Sequence, residues 1–125
     1  MPRKASESCT ALVISAAAEC DIEDILYWTS HTFGAVGRKR YEALIQNAFI
    51  ELACDPNCLG TRPRDDIGKG IRSFHLSSSR KSTKTRHQVA KPRHLVFFQM
   101  IDGVVNVLRL LHDSMDFAQH LDISA

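Results

Sequence analysis

The chain lacks any apolar run near the length of a membrane span. The nearest approach is the stretch 11–18, which follows Arg3 and Lys4 and loosely imitates a signal peptide. It is short, Ser15 interrupts it and Glu7 spoils its basic flank, so it reads as a strand running into a helix. Cysteine is scarce and unpatterned. Cys54 and Cys58 are spaced C-x₃-C, but Cys9 and Cys20 supply no second such pair to complete a zinc site. Free thiols in a reducing cytoplasm are the expectation, with no metal and no cofactor. Acid is missing from one long stretch: between Lys69 and Arg93 stand Lys69, Arg72, Arg80, Lys81, Lys84, Arg86, Lys91 and Arg93, with no Asp or Glu. Sixteen cations less these eight leave eight against fourteen acids elsewhere, a charge of −6, although the net charge is only +2. Such polarisation bears on partners rather than on fold. No aromatic residue interleaves with the cations of 77–93, which weakens any single-strand stacking platform there. An accessory contact to DNA, or to an acidic partner segment, remains open to it.

What is present suits one compact domain. The 125 residues carry 44% hydrophobic and 24% charged side chains, ordinary values for a globular chain. Residues 1–10 are polar and expected to form a flexible N-terminus, with a single domain over 11–125. Ala11 to Ile14 suits a strand, and Ser15 a helix N-cap whose hydroxyl accepts from the free amides of the first turn. Ala18, Ile22, Ile25, Leu26, Thr29 and Phe33 then share one helix face, while Glu19, Asp21, Glu23 and Asp24 crowd the end where the dipole favours anions. Gly34 ends this helix. A second runs from about Val36 to Ala53, with Tyr41, Leu44, Ile45, Ala48 and Leu52 as its apolar stripe, and Asp55-Pro56-Asn57 stops it. Two amphipathic helices joined at Gly34 predict an antiparallel hairpin.

Residues 57–70 read as an irregular connection, 71–76 as a second strand, and 77–93 as a loop. His94–Ile101 and Val104–His112 flank Asp102-Gly103, a dipeptide that favours positive φ and a tight hairpin. A two-residue turn pairs Ile101 with Val104, Met100 with Val105, Phe98 with Val107, Phe97 with Leu108, Val96 with Arg109 and Leu95 with Leu110. One face then carries Leu95, Phe97, Ile101, Val104, Leu108 and Leu110. The other carries Val96, Phe98, Met100, Val105, Val107 and Leu111, with His94 and Arg109. Both are apolar, whereas a sheet with one helical layer normally keeps one face wet. The second face must therefore be covered by the short C-terminal turn, by the basic loop or by another molecule; a partner is the expectation, and burial by the chain's own loops the alternative. Arg109, too costly to bury alone, either pairs with Asp113, Asp116 or Glu19 or points to that partner; the second is the expectation.

The order strand, helix, helix, three strands and a short C-terminal helix resembles the RelE/ParE toxin fold, an α+β architecture with a small antiparallel sheet on a two-helix hairpin. The ending is the most specific part: residues 107–121, Val-Leu-Arg-Leu-Leu-His-Asp-Ser-Met-Asp-Phe-Ala-Gln-His-Leu, resemble the C-terminal segment of ParE-type toxins of type II toxin–antitoxin modules. Residues 15–33, 70–76 and 92–98 resemble the family's first helix and its second and third strands. The resemblance implies a cytoplasmic toxin that inhibits DNA gyrase and arrests growth, neutralised by a ParD-like antitoxin with a ribbon-helix-helix domain. On this reading the target-inhibition candidates are Arg72, Arg93, His94, Arg109, His112, Met115 and Asp116. The antitoxin-binding candidates are Val96, Phe98, Met100, Val105, Val107 and Leu111. The long basic connection 77–93 departs from the shortest versions of the fold.

The rival on the same fold is a RelE-like ribosome-dependent mRNA endonuclease, which needs cations for phosphate charge and groups that move protons. Tyr27 and Tyr41, the only tyrosines, both lie on helices, so the C-terminal tyrosine of the nuclease branch has no counterpart. His112 or His120 are the substitutes available, and the chain is expected not to be an enzyme. His112, Asp116 and His120 are spaced i, i+4, i+8 like metal ligands, but a strand ending near His112 keeps them off one helical face.

Overall fold

The computed structural model describes residues 9–79, 92–115 and 117. The expected N-terminal flexibility (1–8), most of the basic loop (80–91), Asp116, His120 and the C-terminal helix beyond Phe117 lie outside those residues.

Strand β1 (Leu12–Ile14) leads into a helical run, Ala16–Cys54, broken once at Gly34. Ser15 caps its start, accepting from the Ala18 amide at 3.0 Å. Gly34 adopts φ 76°, ψ −174°, a conformation open only to glycine. Unbroken, 39 residues of helix would extend about 58 Å. Instead the Thr10 amide donates to the Ala53 carbonyl at 2.7 Å, so the run folds back on itself as α1 (16–33) and α2 (35–54). This is the predicted hairpin. Its stripe is buried as expected, except that Phe33, at the corner, is 64% exposed.

The remaining elements are β2 (Thr61–Pro63), β3 (Ile71–His75), the short α3 (Leu76–Ser79), β4 (His94–Ile101) and β5 (Val104–His112). They form with β1 a five-stranded sheet in the order β1-β5-β4-β3-β2. The sheet is mixed rather than wholly antiparallel, because β1 runs parallel to β5. The hairpin turn is as predicted, with Asp102 at φ 52° and Gly103 at φ 77°.

The β4–β5 register holds as far as Phe98–Val107 and then shifts by one residue. Leu108 is the extra residue of a bulge, so Phe97 pairs with Arg109, Val96 with Leu110 and Leu95 with Leu111. Helix α1 stabilises this irregularity. Where β1 ends, the Ser15 amide donates to Val107 O at 3.0 Å and the Ser15 hydroxyl to Leu108 O at 2.8 Å. The Leu110 amide donates to the Asp21 carboxylate at 3.0 Å. Groups that a bulge would leave unpaired are thus satisfied by the helix that follows the edge strand.

The shift exchanges two leucines between faces. Leu110 joins Phe74, Val96, Phe98, Val105 and Val107 beneath the helical hairpin. Leu111 joins Ile71 and Phe97 on the opposite face. The face of Val96, Phe98, Val105 and Val107, expected to meet the antitoxin, is thus the one beneath the helical hairpin, and the opposite face is covered by the chain as well. Ile67 and Phe117 pack on it, and the Arg64 guanidinium lies 5.7 Å from the Phe97 ring and 5.3 Å from the Phe117 ring. The connection 57–70 and the tail supply what a second helical layer would have supplied.

Two further expectations are corrected. Cys9 and Cys54 are joined by a disulfide, leaving Cys20 and Cys58 as the free thiols. Arg109 meets an acid within the chain that was not among the three considered, of which Asp116 lies outside the described residues. It meets Asp21 of α1 through Nε–Oδ2 at 2.7 Å and Nη2–Oδ1 at 3.0 Å. Asp21 was passed over because it looked like a solvated dipole-favoured acid; the fold brings it across 88 positions.

Candidate functional site

The ends of β3, β4 and β5 meet the tip of the helical hairpin at a groove of about 930 Å³. One wall is apolar: Trp28 and Phe33 stand edge to face with centroids 5.9 Å apart, beside Val36. Trp28, Phe33, Val36 and Met115 are between 41% and 64% exposed. The other wall is polar, built from Arg40, Tyr41, Arg93, His94, His112 and Ser114.

That polar wall is internally bonded. The Tyr41 hydroxyl bonds His94 Nδ1 at 2.7 Å and accepts from the Arg93 amide at 3.3 Å. Burial pushes the Tyr41 hydroxyl up to about 12, so it keeps its proton and donates it to His94. Burial, and then neighbouring His112, push His94 down to about 4. His94 is therefore neutral, with its own proton on Nε2. Its ring stands edge to face with that of His112, 5.2 Å away, as the cross-strand pair closing β4 and β5. Behind them Asp113 accepts from Arg93 Nη2 at 3.0 Å and from His75 Nε2 at 3.1 Å. Arg93, with His75 in support, holds this carboxyl down near 2. His112 Nδ1 accepts from the Ser114 amide at 3.1 Å.

Of the target-inhibition candidates, Arg93, His94, His112 and Met115 line this groove. Arg109 is engaged with Asp21 and Arg72 lies on β3, its Nη2 donating to Thr61 Oγ1 at 2.8 Å. The buried Arg72 Nε has no hydrogen-bond partner. Of the antitoxin-binding candidates, Val96, Phe98, Val105, Val107 and Leu111 are at most 2% exposed, held in the chain's own two cores; Met100 alone reaches the surface, at 38%. Sequence reasoning missed Trp28, Val36 and Tyr41 as groove residues and Asp113 as the acid behind its polar wall. Tyr41 was absorbed into a helix stripe, and Asp113 was considered as a partner for Arg109.

The Tyr41 hydroxyl, held up at about 12, and His94, held down at about 4, are both neutral near pH 7, and Arg93 has a carboxylate against it. The walls offer aromatic and thioether surface beside cations, the composition of a recognition surface.

A mixed five-stranded sheet under a helical hairpin, with such a groove at its open end, defines a small α+β recognition protein of RelE/ParE type. Residues 12–117 match the family model described as the ParE toxin of the type II toxin–antitoxin system parDE. The chain belongs to that family and is a toxin of a type II toxin–antitoxin module, a class that works with an antitoxin partner. No curated protein matches it. No helix among the described residues is long and apolar enough to cross a membrane.

Proposed function

We propose that this toxin acts in the cytoplasm as a non-enzymatic inhibitor of DNA gyrase, and that a ParD-like ribbon-helix-helix antitoxin neutralises it by binding it directly. Membership of the ParE family carries this reading. The state of the groove supports it. Arg93 is paired with Asp113 and Arg109 with Asp21, so these two guanidinium groups are already engaged with carboxylates rather than held open for a phosphoryl transition state. The exposed apolar wall, Trp28, Phe33, Val36 and Met115, suits an amphipathic antitoxin segment that folds as it docks. Arg40 beside it favours an acidic residue on that segment.

A second reading, ribosome-dependent mRNA cleavage, draws on the clustering of Tyr41, His75, His94, His112, Asp113 and Arg93 at one end of the sheet. One experiment separates the two. Purified toxin is added to a gyrase supercoiling reaction and, in parallel, to a ribosome-dependent mRNA cleavage reaction. Inhibition of supercoiling alone, reversed by the antitoxin, is the expected outcome. Cleavage without inhibition overturns the gyrase reading and establishes the nuclease.

A further inference from the structure

Cys9 stands three residues before β1 and Cys54 is the last residue of α2. Their bond, spanning a sequence separation of 45, closes a ring that contains the edge strand β1 and both helices, α1 and α2, of the hairpin that covers one face of the sheet. Three features of the junction distinguish it from a buried structural bridge. Cys54 is exposed and Cys9 half-buried, so neither cysteine is sealed in a core. The Thr10 amide and hydroxyl both donate to Ala53 O, at 2.7 and 3.0 Å, one residue inside the bond on either side. With the bond open, these hydrogen bonds still hold the two thiols together, which favours re-formation over a competing pairing. The remaining cysteines are free: Cys20 is exposed on α1, and burial, with Glu51 and Asp55 nearby, pushes the Cys58 thiol up and away from its reactive form.

We propose that Cys9 and Cys54 form a reversible thiol–disulfide switch that sets how firmly the helical hairpin is clamped to the sheet, and so how long the free toxin persists. The reagent class is a dithiol reductant in one direction and glutathione disulfide in the other. In reduction a reagent thiolate attacks Cys54 Sγ, the sulfur–sulfur bond breaks, and Cys9 leaves as a thiolate that takes up a proton. The reagent's second thiolate then displaces Cys54 from the mixed disulfide, and Cys54 is protonated in turn. Two electrons and two protons pass to the protein, and the dithiol becomes a cyclic disulfide. Where thiols are normally kept reduced, a bond of this kind, outside the core, is a sensor of oxidation rather than a permanent staple.

The redox treatments are applied to the full chain, folded and without denaturant; each sample is then acid-quenched and denatured only for counting thiols. After glutathione-disulfide treatment, mass-tagging with a maleimide is expected to label two cysteines. After millimolar dithiothreitol it labels four, and returning the sample to glutathione disulfide restores two. Reduction is expected to lower Tm by on the order of 10 °C and to speed proteolysis of the free toxin about tenfold or more. A variant carrying Cys20→Ser and Cys58→Ser keeps the full response, so the readout does not depend on a Cys9→Ser, Cys54→Ser chain that fails to fold. Three results overturn the proposal: four tags after oxidation, a bond that resists dithiothreitol until denaturant is added, or a Tm unmoved by proven reduction.

Discussion

Arg109 and Asp21 illustrate how a residue's role is set by what it meets. Fixed by two charge-assisted hydrogen bonds and only partly exposed, Arg109 holds α1 against the bulged part of β5. Arg109→Ala is therefore expected to destabilise the fold by about 2 kcal/mol, because it strands a partly buried carboxylate, rather than to remove a target contact from an intact toxin. Urea unfolding of the variant measures this, and an unchanged midpoint would return Arg109 to the list of target residues. His94 gives a prediction in pH. Its folded pKa, about 4, lies below the ordinary 6.5, so between those values the unfolded chain binds a proton that the folded chain refuses. Stability falls as pH drops across that window, by up to roughly 3 kcal/mol. Below about pH 4 Asp113, held near 2, adds a second loss as it too is protonated. Urea midpoints measured from pH 7 to 3 should follow this course, and His94→Gln should flatten its upper part.

The helical hairpin and the β4–β5 hairpin each depend on one backbone conformation. At Gly34 a Cβ would meet nothing within 4 Å, so its requirement is conformational, not steric. Gly34→Ala is expected to cost about 2 to 3 kcal/mol, read as a fall in Tm. At Gly103, also free of neighbours but in the ordinary left-handed region, Gly103→Ala should cost nearer 1 kcal/mol. Both turns were legible from sequence because their signals are local: a glycine between two apolar stripes, and Asp-Gly between two β-branched runs. The bulge at Leu108 was not. Nothing in Val107-Leu108-Arg109 announces an extra residue; it is stabilised by Ser15 and Asp21, which reach it only after α1 has packed. Because side-chain direction in a strand alternates, that one residue moved Leu110 and Leu111 to opposite faces.

At the scale of the molecule, the groove links the fold to its partners. Trp28 is 58% exposed, so Trp28→Ala should leave Tm within about 2 °C of the parent while weakening antitoxin binding about 10- to 100-fold, measured by titration calorimetry. Equal affinity would move the docking site elsewhere. The local content of the chain determined by itself both helices, four of the five strands, both tight turns and, through its C-terminal motif, the family, since periodicity and turn chemistry act over a few residues. Strand β2, inside the 57–70 connection, and the short α3 were not legible. Tertiary structure alone decided that both faces of the sheet are covered, which acid Arg109 meets and which cysteines bond. Those outcomes rest on contacts between residues 45 to 88 positions apart, as in Cys9–Cys54 and Asp21–Arg109, and on a bulge that only the packed helix can stabilise.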